Sequence, residues 1–254
     1  MICEFSGLMP TAFKIVIPAR YASTRLPGKP LIDINGKPMI EWVYQAAQQS
    51  QAEQVVVATD DKRIAEVVSG FGGDYCMTRS DHTTGSDRIV EVCEKLNWDD
   101  ATVIVNLQGD EPLMPADNLR QVAGNLLASG CDMATLHKSI DAQSAQNPNQ
   151  VKLVHDQAGK ALYFSRACMP YLRDEGSADY YGHIGLYAYR VGFLKLYAGL
   201  APCMLEQSEK LEQLRALYYG YSIHTELARK APGTGVDTPE DLLKVSQLLQ
   251  DSQA

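Results

Sequence analysis

The chain has 254 residues and a mass of 28.0 kDa, the size of one α/β unit with an elaboration. Hydrophobic residues at 45% and charged residues at 21% exclude general disorder, a collagen-like repeat and a coiled-coil rod. Lys and Arg number 23 against 31 Asp and Glu, a net charge of −8, which argues against non-specific nucleic-acid binding and makes any basic cluster stand out as local.

The first eleven residues lack the basic and apolar regions of a secretory signal; they read as a frayed tail, with Met9 as an alternative start. Residues 13–18 form a short apolar strand stopped by proline, feeding a loop rich in Arg, Ser, Pro and Gly. Pro38 to about Ser50 reads as a helix with proline in its first turn. Residues 54–58 are a second strand, and Asp60 and Asp61 then open a helix whose Ile64, Val67, Val68 and Phe71 share one face. The pattern repeats with a strand at 74–77, a helix through Ile89 to Leu96, a strand at 102–107 and a helix from about 115 to 128. Such alternation predicts a doubly wound, mostly parallel sheet with helices on both faces.

The second half reads differently. A strand at 132–136 precedes a polar loop over 141–149, and residues 151–154 and 161–164 read as a hairpin across Gln157, Ala158 and Gly159. A strand at 184–189 follows, Leu211, Leu214 and Leu217 mark a helix, and Thr238 caps a final one with Asp241 three residues on. These antiparallel pieces predict a smaller lobe packed over the open end of the sheet. No apolar run spans a membrane. Six cysteines, at positions 3, 76, 93, 131, 168 and 203, have neither C-x-x-C nor zinc-ligand spacing and read as reduced, in a cytoplasmic protein, with Cys93 on an apolar helix face.

In open parallel sheets ligands bind beyond the carboxyl ends of the strands. The loop after the first strand carries Arg20, Arg25 and Lys29 together with Ser23, three fixed positive charges among small residues, as a polyphosphate requires. It is neither a P-loop nor a G-x-G-x-x-G fingerprint, and a solvated basic loop is the alternative. Asp110 follows the strand at 102–107, and Asp237 follows a Gly-rich turn. Were folding to bring these two carboxylates together they would suit Mg²⁺; either alone reads as a helix cap. Ser86 and Arg88 open a helix whose N-terminus favours an anion, with Asp87 as a capping alternative.

Residues 17–31, IPARYASTRLPGKPL, resemble the opening signature of the sugar-acid cytidylyltransferases, in the branch that takes 3-deoxy-manno-octulosonate (Kdo). Further matches follow in order: NGKPMI at 35–40, ATD at 58–60, MTR at 77–79, NLQGDEP at 106–112, ALYFSR at 161–166, HIG at 183–185, LEQLR at 211–215 and PGTGVDTP at 232–239. The resemblance runs from residue 13 to about 249 and implies a nucleotide-diphospho-sugar transferase type of fold in one domain, 12–250. Within it, about 12–136 would be the nucleotide-binding half, about 137–230 the sugar-binding and dimerisation lobe, and 231–250 the metal-ligand loop and closing helix. The implied reaction places the anomeric oxygen of the acid sugar on the α-phosphate of CTP and expels diphosphate, with Mg²⁺, in a homodimer serving lipopolysaccharide synthesis.

The resemblance also implies roles. Ala19, Arg20, Ser23, Arg25, Lys29, Arg79, Ser86 and Gln108 would surround CTP, and Gln108, Arg166, His183, Glu212 and Gln213 the sugar. Asp110 and Asp237 would hold the metal and, with Lys29, form the catalytic set. Taken alone, Arg79 reads as a surface charge, His183 as a structural histidine and Gln213 as a solvated helix residue. Two departures lie on the sugar side: a short acidic loop at 171–181, and Gly182 where the resemblance leads one to expect Lys or Arg. They leave Kdo, its 8-amino form and a neuraminate-type acid open as acceptors and do not touch the donor. A non-catalytic nucleotide-binding homologue is a further alternative, against which the intact Arg20, Arg25, Lys29, Asp110 and Asp237 set argues.

Overall fold

Valine- and isoleucine-rich runs with both faces buried form the centre of one sheet, as expected of parallel strands covered by helices on either side. The structure, a computed structural model, describes residues 12–22, 26–82, 84–174 and 176–251; the tail before Ala12 and the basic loop's Ser23 and Arg25 lie outside them. Strand β1 (Lys14–Ala19) leads through a 3-10 turn at Lys29–Leu31 into the small hairpin β2 (Asp33–Ile34) and β3 (Lys37–Pro38). Helix α1 (Met39–Gln48), β4 (Gln54–Thr59), α2 (Lys62–Gly70), β5 (Asp74–Met77), α3 (Gly85–Lys95), β6 (Val103–Asn106) and α4 (Ala116–Ser129) then alternate as expected. The second half comprises β7 (Met133–Ile140), α5 (Ala142–Gln146), β8 (Lys152–His155), β9 (Ala161–Ser165), β10 (Tyr180–Arg190), α6 (Val191–Ala198), α7 (Met204–Glu209), α8 (Leu214–Tyr218), β11 (Ile223–Leu227) and α9 (Pro239–Asp251).

The main path of the sheet runs β11-β7-β10-β6-β1-β4-β5. Strands β6, β1, β4 and β5 are mutually parallel, as are β7 and β11. Between these two parallel groups lies β10, antiparallel to both β6 and β7. Its first half also pairs with β8, which pairs in turn with β9, so the antiparallel part is continuous with the main sheet. Along β1 the side chains alternate: Ile15 and Ile17 join the core under α1, α2 and α4, while Val16 joins the core under α3, α6 and α8. A third cluster docks α9 on the hairpin through Ile34, Met39, Trp42, Val236, Val245 and Leu249. Trp42 Nε1 donates to Ile34 O at 2.8 Å within it. No helix among the described residues is long and apolar enough to cross a membrane.

The expected caps are present. Asp61 accepts from the Arg63 N–H ahead of α2, Thr84 and Asp87 form a capping box on α3, and Thr238 and Asp241 do the same for α9. Cys76, Cys93, Cys131, Cys168 and Cys203 are free thiols, and burial pushes the Cys93 thiol up to about 12. The expected loop over 141–149 contains α5, begun by Asp141, whose carboxylate accepts from the Ser144 N–H. The helix expected around Leu211 to Leu217 begins only at Leu214, and Leu211 sits in the turn that joins it to α7. The strand expected at 184–189 starts earlier, at Tyr180, so His183 lies within it.

Candidate active site

Close packing at the ends of β1 and β6 sets the site. A Cβ on Gly109 would stand 2.9 Å from Pro18 O, so only glycine lets the chain after β6 pass this close to the end of β1. Asp110 follows at once. Its backbone carbonyl accepts from the Val236 N–H at 2.9 Å, which ties the Gly-rich loop before α9 to the turn after β6. Asp241 Oδ2 accepts from the Asp237 N–H at 3.1 Å, and with this Asp237 is held at the mouth of the same cleft.

Lys29 joins the two carboxylates. Its Nζ donates to Asp110 Oδ2 at 2.6 Å and to Asp237 Oδ1 at 3.1 Å, with the lysine side chain only 12% exposed. Glu111 lies beneath them. Burial, followed by the Asp110 charge, pushes its carboxyl up to about 7, and Lys138 and Lys29 oppose that shift.

Two cavities open here. The larger, about 370 Å³, is lined by Asp110, Glu111, Lys138, Gln150, His183 and Asp237 among others. The smaller, about 100 Å³, is lined by Ser86, Gln108, Tyr187, Tyr189, Glu212 and Gln213 among others. His183 and Tyr187 connect them, with ring centroids 5.4 Å apart. Burial and the nearby His137 push the His183 imidazole down to about 3, so it is neutral at physiological pH. In the smaller cavity burial raises the Glu212 carboxyl, one of whose oxygens has no hydrogen-bond partner, and Gln213 Nε2 is likewise unpartnered among the described residues. Buried polar atoms in that state are ready for a ligand's hydroxyls. Arg215 fixes the segment that carries them, donating from Nε and Nη2 to Glu206 at 2.8 and 2.5 Å.

The structure therefore gathers Lys29, Asp110 and Asp237 at one point, places His183 on the larger cavity, and places Ser86, Gln108, Glu212 and Gln213 on the smaller. Ala19 is buried at the end of β1, and Arg20 follows it close enough to Arg88 to help depress that guanidinium, whose main perturbation is burial. Two other expected residues line neither cavity. Arg79 pairs with Asp81 on the surface, both side chains 68% exposed. Arg166 donates from Nε to Glu209 O at 2.7 Å and from Nη1 to Pro148 O at 3.1 Å, bracing the chain after β9. Lys138, Gln150 and Tyr187 line the cavities without a motif to announce them.

Among the described residues no group of three or more His, Cys, Asp or Glu side chains could hold a metal. The donor set nonetheless fits Mg²⁺: two carboxylates already converge on one cation, the Lys29 ammonium, and Mg²⁺ is held by one or two carboxylates with substrate phosphates and waters completing its shell.

Comparison with known proteins places this geometry. A solved structure of CMP:2-keto-3-deoxy-manno-octonic acid synthetase complexed with CTP superposes with a TM-score of 0.90 at 45% identity, covering 95% of this chain and 99% of that one. A cytidylyltransferase from Leptospira borgpetersenii serovar Hardjo-bovis (strain JB197), 14% identical with a TM-score of 0.62 over 96% of this chain and 88% of that one, shares the fold. The 3-deoxy-manno-octulosonate cytidylyltransferase of Pseudoalteromonas atlantica (strain T6c) is 52% identical over 244 residues, 92% of this chain and 96% of the relative. The family model described as cytidylyltransferase matches residues 14–225, and the chain belongs to the cytidylyltransferase family.

Proposed function

We propose that this nucleotidyltransferase moves the cytidylyl group of CTP onto the anomeric hydroxyl of Kdo, forming CMP-Kdo for lipopolysaccharide inner-core synthesis. The anomeric oxygen bonds to the α-phosphorus, the bond from that phosphorus to the bridging oxygen breaks, diphosphate leaves with that bond's electron pair, and the hydroxyl proton passes to water. The observation that carries this reading is the convergence of Lys29, Asp110 and Asp237 beside a polar cavity, in a chain 52% identical to a Kdo cytidylyltransferase.

Such chemistry asks the protein for positioning and charge neutralisation. Arg20 and Lys29, with Ser23 and Arg25, are assigned to the triphosphate, and Ser86 and Gln108 to the nucleotide. Asp110 and Asp237 would hold Mg²⁺, which supplies a compact positive charge against the developing charge on phosphate oxygens. His183, Glu212 and Gln213 offer neutral or hydrogen-bonding groups to the sugar's hydroxyls. A homodimer in the cytoplasm belongs to the same reading, and the free thiols among the described residues agree with a reducing compartment.

Diphosphate release with CTP and a panel of acid sugars tests it. Kdo should be the preferred acceptor and CTP the preferred nucleotide; release with 8-amino-Kdo or a neuraminate-type acid in its place would overturn the acceptor assignment alone.

A further inference from the structure

Strand β10 slips against β7 at one point. Ile184 pairs with Leu136, yet the next pair is Tyr187 with Thr135, so β10 carries extra residues at Gly185 and Leu186. Thr135, fully buried, fills that irregularity. Its Oγ1 lies 2.9 Å from Leu186 O, 3.1 Å from Ile184 O and 3.0 Å from His183 Nε2.

A hydroxyl has one proton and two lone pairs, and carbonyls can only accept. If Nε2 carried a lone pair, it would take the Thr135 proton and leave two carbonyl oxygens facing the hydroxyl's lone pairs at about hydrogen-bond distance. With the proton on Nε2, the hydroxyl donates to a bulge carbonyl and accepts from His183, and the histidine contact no longer competes for the hydroxyl proton. The ring stays neutral, as its burial requires, and His183 Nδ1 makes no hydrogen bond among the described residues.

We propose that Thr135 is a positioning residue: it fixes His183 as the Nε2–H tautomer and so presents Nδ1 as a hydrogen-bond acceptor for a hydroxyl of the acceptor sugar. This deepens the proposed function and rests on it only in naming the sugar as the hydroxyl's source. Strand register therefore sets the polarity of a substrate contact.

Nitrogen NMR of protein labelled at histidine, with the signal assigned by His183→Gln, reads the tautomer directly. The wild type should show the proton on Nε2 of His183, and Thr135→Val should release it into a mixture or the opposite tautomer. Diphosphate-release kinetics on the same variant should show KM for Kdo raised about threefold to tenfold, the size of one neutral hydrogen bond. CTP affinity by calorimetry should stay unchanged, and Thr135→Ser, which keeps the hydroxyl, should restore both readouts. A wild-type proton on Nδ1 overturns the proposal without any variant, as does a Thr135→Val protein with wild-type tautomer and Kdo kinetics. Absence of wild-type turnover on Kdo overturns the proposed function instead, a result to which the nitrogen spectrum is blind.

Discussion

Lys29 Nζ stands 2.6 Å from Asp110 Oδ2, and the same ammonium reaches Asp237 Oδ1 at 3.1 Å. One side chain thus holds together two carboxylates from loops far apart in sequence. Replacing either by its amide keeps the volume and removes a charge that a metal would need. Asp110→Asn and Asp237→Asn should each lower kcat by about a thousandfold, several kcal/mol of transition-state stabilisation. Circular dichroism should be unaltered and the thermal midpoint lowered by only a few degrees, the effect of weakening one charged hydrogen bond to Lys29. Near-native turnover of either variant in saturating Mg²⁺ would remove that residue from the ligand set.

The same geometry makes Lys29 a competitor for any metal entering the free protein. Lys29→Met should therefore bind Mn²⁺, used as a spectroscopic probe, about fivefold more tightly, a modest gain because the two carboxylates are partly screened by solvent. Turnover with CTP should nevertheless fall, since the phosphate contact proposed for Lys29 is lost. Weaker Mn²⁺ binding by titration would contradict the competition.

A Cβ on Gly233 would collide with Leu113 Cβ, an atom fixed to the backbone. Gly233→Ala must push the loop outward and carry Asp237, four residues on, with it. Displacement near 1 Å is enough to cost about a hundredfold in kcat. Gly124, in the middle of α4, has open space at its Cβ position, so Gly124→Ala should raise stability by about 1 kcal/mol and leave kinetics alone. A Gly233→Ala enzyme with normal kcat would show that the loop has slack.

His137 is buried at 4% exposure against the rings of His155 and Tyr181, and burial, helped by the neighbouring His155, pushes its imidazole down to about 4. The unfolded chain therefore takes up this proton first. Stability from the group is complete above about pH 6.5 and is lost progressively as the pH falls toward 4, amounting to about 2 kcal/mol at pH 5. Urea midpoints at pH 7.5 and 5.0 measure it. His137→Gln should show a smaller drop between the two pH values than the wild type; an identical drop would mean that His137 titrates like an exposed histidine.

The central strands were legible because residues 15–17, 55–57 and 103–105 are runs of Val and Ile buried on both faces. Helix α6 was not: Val191 follows β10 directly, and Arg190 at its N-cap position offers no capping side chain. Strand β11 hid for another reason, since Ile223, His224, Thr225 and Glu226 make a short, half-polar run that only its parallel partner β7 turns into a strand. In the site, Asp110 and Asp237 were visible through their motifs. Thr135 was invisible, because its neighbours on β10 depend on a register slip that no local pattern encodes.

The position of β10 also governs how the chain can assemble. Among the described residues, 180–190 are the only link in the main path between the β6-β1-β4-β5 group and the β7-β11 pair, so during synthesis the first 179 residues can form neither junction. Until β10 emerges, the inner edges of β6 and β7 are open strand edges, rich in Val, Ile, Met and Leu and without a partner to cover them. The two halves become one cooperative unit through pairings of long sequence separation, which form late and slowly. A ribosome-stalled or truncated chain ending before Tyr180 should therefore be the aggregation-prone species of this protein, and a chaperone that shields strand edges would act on it during the time needed to synthesise β10.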